Sequence, residues 1–132
     1  MLNTSHAARM MLAALLLSAL TSSCKKDDDP SASSQIQCTT SGLNADNTKY
    51  STVIVDILQR NTCFSCHSTQ QAQGGVVLEG YNNIKKYVDN DKLLGTIAHL
   101  SGYKAMPQGS SKMAQDDICK IKYWVDSGAP NN

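Results

Sequence analysis

The chain has 132 residues, room for one small domain and not two. Apolar residues make up 41% of it, but much of that share falls in the first 20 residues, and the remainder holds one Trp and one Phe. With 12 basic and 11 acidic side chains the net charge is +1, so nothing in the balance points to nucleic acid. A domain of roughly 90 residues with few aromatics builds a thin core and commonly needs a cofactor or a cross-link to hold it.

Residues 1–23 read as a secretory signal peptide. Arg9 supplies a positive start, and Met10 to Leu20 is an apolar run broken only by Ser18, too short to span a bilayer. Thr21, Ser22 and Ser23 follow, then Cys24. An apolar run, small residues and a Cys resemble the lipobox of bacterial lipoproteins, which implies that Cys24 is lipidated and becomes the first residue. The match departs at Thr21, where that pattern has Leu. The plainer alternative is an ordinary signal with an incidental Cys. Acyl chains worth ~0.8 kcal/mol per buried CH₂ would make a stable membrane anchor. Cleavage before Cys24 removes Arg9 and leaves 11 basic against 11 acidic side chains.

Residues 24–37 read as a disordered, lipid-anchored tether. Lys25-Lys26-Asp27-Asp28-Asp29-Pro30 is a charge run, and Ser31 to Gln35 is polar and of low complexity. Lys26 with three Asp also resembles an acidic export signal that some Gram-negative bacteria use for surface lipoproteins; a solvated spacer fits equally well. The expected location is the cell envelope, at the periplasmic face or on the outer surface of the outer membrane.

The domain is expected at 38–132. Tyr50 to Arg60 is the first helix, with Val53, Ile54, Ile57 and Leu58 on one face and Ser51 or Thr48 as its cap. Tyr81 to Val88 is a short second helix, with Ile84 and Val88 four apart. Asp91 to Leu100 is a third, with Leu93, Leu94, Ile97 and Leu100 on one side and Gly95 as a weak spot. Gln115 to Ser127 is the clearest. Its stripe is Ile118, Ile121, Trp124 and Val125, Asp116 and Asp117 suit its positive end, and Gly128 can terminate it. No alternating strand pattern and no repeat occurs. The class is all-α, with long loops at 68–80 and 101–114 of the kind that wrap something.

Cys63-Phe64-Ser65-Cys66-His67 is a C-x-x-C-H sequence just after the first helix. It reads as a covalent attachment site for one haem c. Two Cys three apart can form thioethers to the two vinyl groups, and His67 then supplies a nitrogen to the iron. The competing readings are a redox disulfide, which normally opens a helix in a βαβ setting, and half of a zinc site, which lacks a second close pair of ligands. The sixth ligand is expected to be Met106, 39 residues after His67, in a loop stiffened by Pro107 and bracketed by Gly102 and Gly109. His99 and Met113 are the competitors.

With these residues in view, the stretch from Thr48 to Asn132 resembles a small class I cytochrome c. The resemblance rests on the first helix, the C-x-x-C-H motif, Met106-Pro107, and the ending Trp124-Val125-Asp126-Ser127-Gly128-Ala129-Pro130. It implies three to five helices around one haem, His67 and Met106 as axial ligands, and electron transfer between redox protein partners. It departs at Ala114, where Ser or Thr would cap the last helix. The crossing of first and last helices in that fold implies a Cys38–Cys119 disulfide in an oxidising compartment; two unpaired buried thiols are the alternative. Gly74 and Gly75 are expected at a cofactor edge or a loop tip, and Tyr81, Tyr87 and Tyr103 either bond its propionates or pack half-buried.

The functional expectation is a monohaem electron carrier and not an enzyme. The alternatives are a haem enzyme or gas sensor with an open sixth position, and a thiol-redox or metal-binding lipoprotein.

Overall fold

The computed structural model describes residues 30–132. The expected signal peptide at 1–23 and Cys24 lie outside the described residues. All regular structure is helical, with no strand among the described residues. The α-helices are α1 Ala32–Gln35, α2 Val55–Arg60, α3 Cys63–His67, α4 Tyr81–Val88, α5 Lys92–Ile97 and α6 Gln115–Asp126. A π-helical stretch, Tyr50–Ile54, runs directly into α2, and a single 3-10 turn, Gln73–Gly75, interrupts the loop after α3. None of these helices is long and apolar enough to cross a membrane.

The helix expected from Tyr50 therefore forms, but it opens wide and without a side-chain cap. The Val53 and Ile54 amides both donate to the Lys49 carbonyl, at 2.9 and 3.0 Å. The first amides of a helix have no partner within it. Here they are taken up from far along the chain, because Tyr50 N–H donates to Asn132 Oδ1 and Ser51 N–H to the Asn132 carbonyl, both at 2.8 Å. Thr48 instead donates its hydroxyl to the Asn44 carbonyl at 2.7 Å. α6 also begins uncapped, at Ala114, and ends one residue earlier than expected, with Gly128 at φ +91° turning the chain. α5 is shorter than the apolar spacing predicts: it stops at Ile97, and His99 takes a left-handed turn at φ +55°.

The core forms where the apolar stripes meet. Ile54, Ile57 and Leu58 pack with Ile118, Ile121 and Trp124 of α6, joined by Ile84 of α4 and by Leu93, Leu94 and Ile97 of α5. Tyr50 stacks on Trp124 at 5.6 Å between ring centroids and meets Tyr81 edge-on at 5.2 Å. The chain after α6 folds back over these rings. Trp124 Nε1 donates to the Pro130 carbonyl at 2.9 Å, and Tyr81 Oη to the Ala129 carbonyl at 2.8 Å.

The polar segment before Cys38 differs from the expected tether over the part that is described. Ser31 caps α1 by accepting the Ser34 amide, Ala32 is fully buried, and Ile36 is 7% exposed. α1 rests on α5 and α6, and Ser33 hydrogen-bonds the Asp126 carboxylate. Two apolar side chains four apart, in an otherwise polar run, are enough to dock one turn of helix.

Cys38 and Cys119 form a disulfide, with Cα atoms 5.5 Å apart and a sequence separation of 81. The Gln115 side chain reinforces the join by donating to the Gln37 carbonyl at 2.9 Å. Closing a loop of that length contributes about 4 kcal/mol on the chain-entropy model. The variant Cys38→Ser/Cys119→Ser is therefore expected to unfold at clearly lower urea, with a loss of about 4 kcal/mol in matched denaturation curves. A midpoint equal to that of the parent would refute it.

Candidate functional site

The site starts from the exit of α2. Asn61 closes that helix, donating to the Ile57 carbonyl at 2.9 Å, and Thr62 turns the chain at φ +57° into α3. The turn is fixed from α6. Asp117, buried in the first turn of α6, accepts from Asn61 Nδ2 at 3.2 Å and pairs with Arg60, which also holds Asp56. The hydrogen bond that Arg60 donates to Asp117 is the largest influence raising the Arg60 pKa above its ordinary value.

In a helix, positions i, i+3 and i+4 share a face. Cys63, Cys66 and His67 of α3 occupy those positions, and all three line one cavity of about 1050 Å³. That volume lies at the top of the usual range for ligand sites, ~300–1,000 Å³. Both thiols are free, so the close spacing has not closed into a disulfide. Burial pushes the Cys63 thiol up to about 11, with the neighbouring Cys66 adding to the rise. His67 Nδ1 is buried without a hydrogen-bond partner. An unpaired buried polar group costs about 1–3 kcal/mol and needs an explanation.

The loop after α3 folds back to fix His67. Its carbonyl accepts the Leu78 amide at 2.8 Å. One residue on, Glu79 Oε2 accepts from the Thr69 amide and hydroxyl at 2.7 and 2.8 Å, which holds the Glu79 carboxyl below its usual range. Of the two glycines that follow the motif, Gly74 stands in the cavity wall.

The rest of the wall comes from α4, α5 and the loop that follows α5. Met106 and Met113 both line it, with Tyr87 and Tyr103. Tyr81 does not; its hydroxyl is spent on Ala129. His99 is absent from the wall, and its Nε2 lies 3.0 Å from the Met106 carbonyl. The Met106 amide donates to the Thr96 carbonyl at 3.0 Å. Gly95, a weak spot by helix propensity, has a packing reason: the Tyr103 ring lies against its Cα, where a Cβ would overlap ring atoms. Nothing in the sequence marked the contacts of Gly95, His99 or Asp117, because each pairs residues through the fold and not through a local pattern.

The structure thus brings Cys63, Cys66, His67, Met106 and Met113 to one cavity, and leaves Cys38 and Cys119 in the disulfide at α6. Among the described residues no three His, Cys, Asp or Glu side chains gather into a group able to hold a metal ion. No family model, curated relative or solved structure matches the chain.

Two outcomes follow. Ala in place of Gly within a helix normally stabilises by ~0.5–1 kcal/mol, whereas overpacking costs about 1–3 kcal/mol. Gly95→Ala is expected to destabilise in urea titration, and its cost to shrink in a Tyr103→Ala background, where the ring is gone; a stabilised single variant would contradict the packing. For Glu79 the folded pKa is lowered, so its contribution is full above the unfolded value of ~4.3 and fades as pH falls through the folded one. Glu79→Gln is expected to shed less stability than the parent between neutral pH and acid, read from unfolding curves at stepped pH.

Proposed function

We propose that the chain is a monohaem c-type cytochrome that carries single electrons between redox proteins at the cell envelope. The observation that carries this reading is the joint placement of two free thiols and an imidazole on one face of α3, along a cavity of about 1050 Å³ that Met106 also lines. The residues fit a covalently held haem c. Cys63 and Cys66 offer the two sulfurs, and His67 offers a ring nitrogen. Binding iron through Nε2 would leave the proton on Nδ1, which is buried without a partner, so the imidazole lacks the hydrogen bond that normally orients a ligating histidine. Met106 is the sulfur donor of the loop, and Met113, 4% exposed, belongs to the apolar core.

When bound, haem iron supplies the one-electron couple, and a thioether ligand raises its reduction potential. The chain's own part is to hold and to exclude. α3 fixes both thiols and the imidazole together, the loop at 68–80 locks His67 by its carbonyl, and Leu58, Leu78, Leu93 and Ile97 keep the wall apolar.

Two other readings carry less. A thiol-redox protein needs a nucleophilic thiolate, commonly with a depressed pKa, whereas Cys63 is pushed up to about 11. A structural zinc wants four ligands, and no such group is assembled among the described residues. Lipidation at Cys24 would tether the protein to a membrane, at the periplasmic face or on the outer surface of the outer membrane.

The test is expression with a cytochrome c maturation system. The expected product is coloured, keeps its colour through acid acetone, and carries the added mass of one haem on Cys63 and Cys66. The oxidised form is expected to give the weak far-red band of sulfur–iron ligation, lost in Met106→Ala. A coloured protein without that band that rapidly binds carbon monoxide would favour a haem enzyme or gas sensor. A colourless protein of unmodified mass would overturn the reading in favour of the thiol-redox or metal-binding one.

A further inference from the structure

We infer that His99 is the positioning residue for Met106, clamping the backbone of the 103–109 loop onto the end of α5. This deepens the haem reading and rests on it for its purpose, though the clamp itself is a property of the chain.

Four contacts fix the loop from α5 and the turn that follows it. The Met106 amide donates to the Thr96 carbonyl at 3.0 Å, and the Met106 carbonyl is met by His99 Nε2 at 3.0 Å. The Tyr103 ring rests on Gly95, and the Tyr103 amide donates to the Leu100 carbonyl at 3.2 Å. Met106 is therefore held on both sides of its Cα by residues three apart on the chain. Its backbone cannot move away from the end of α5 without breaking both bonds.

The backbone of His99 shows what this arrangement demands. It sits at φ +55°, a region that disfavours side chains with a Cβ by roughly 1–2 kcal/mol. Such outliers persist where the surroundings over-determine them, and they cluster at functional sites. The turn lets the chain leave α5 while bringing the imidazole back over the loop. Gly or Asn would take this conformation with less strain. Neither would carry a ring nitrogen as far as the Met106 carbonyl. A carbonyl only accepts, so Nε2 carries the proton of this bond and is not free to bind a metal, while Nδ1 keeps its lone pair. With its absence from the cavity wall, this assigns His99 to the support of Met106 and not to its place.

The experiment compares the protein with His99→Ala, which keeps the Cβ and loses the donor, and His99→Gln, whose amide nitrogen reaches a similar distance. His99→Gly serves as well if the Ala variant folds poorly. Two readouts are taken on protein matured with haem: hydrogen exchange across 103–109, and the rate at which added imidazole displaces the sulfur–iron band. Loss of one hydrogen bond is expected to speed both about fivefold in His99→Ala, with partial return in His99→Gln. The urea midpoint and exchange in α2 and α6 should stay near the parent's. Unchanged exchange and displacement in a haem-bearing protein would overturn the clamp and leave the cytochrome reading standing. Uniformly faster exchange over the whole chain would overturn it too, as general destabilisation. If the parent carries no haem but exchange at 103–109 still rises in His99→Ala, the clamp stands and the cytochrome reading falls.

Discussion

One buried carboxylate ties the two halves of this structure together. Asp117 lies in the first turn of α6 and reaches across to Arg60 and Asn61, the last residues before the chain turns into α3. Removing a buried carboxylate's partners leaves an uncompensated charge, which is far more costly than the pair is stabilising. The exit of α2, the left-handed turn at Thr62 and the start of α3 are thus registered to the most regular helix of the domain. The face of α3 that carries Cys63, Cys66 and His67 inherits its orientation from that registration. Where a motif points depends here on a residue more than fifty positions away.

Much of the helical framework was legible from spacing. The Tyr81–Val88 helix has the limits its pattern predicts, and the apolar stripes of α2 and α6 meet in the core because Ile54, Ile57, Ile118 and Ile121 fall on single faces. What escaped the sequence shares one physical cause. The missing cap at Tyr50 gives no local signal, since the amides of Tyr50 and Ser51 are satisfied by Asn132, at the far end of the chain. α1 looked too polar to fold because only Ala32 and Ile36 supply its buried surface, and a neighbour's face must be present before two side chains suffice. Gly95 reads as a flaw until Tyr103 is placed against it. Local propensity is a weak prior that tertiary contacts override.

The same division holds for the site. The C-x-x-C-H spacing indicated which residues share a helical face, while the wall that completes the cavity comes from α4, α5 and two loops. Its apolar character matters for chemistry as much as for packing. Burial keeps the Cys63 thiol protonated at neutral pH, which quiets it as a nucleophile in solution. On the cytochrome reading, that leaves the Cys63 thiol waiting for an attachment machinery instead of reacting with passing disulfides.

The disulfide has a mechanical side. Any pull exerted through the chain upstream of Pro30 first meets α1, a single turn held by two small apolar contacts and a few hydrogen bonds. That turn can peel away under modest load. The next point of resistance is Cys38, where tension passes through a covalent bond straight into α6. The helices around the cavity are then loaded from their most firmly packed member, and the strand of chain between Cys38 and α2 is bypassed. A load applied from that end is spent on residues 30–37 before it reaches the helices that wall the cavity.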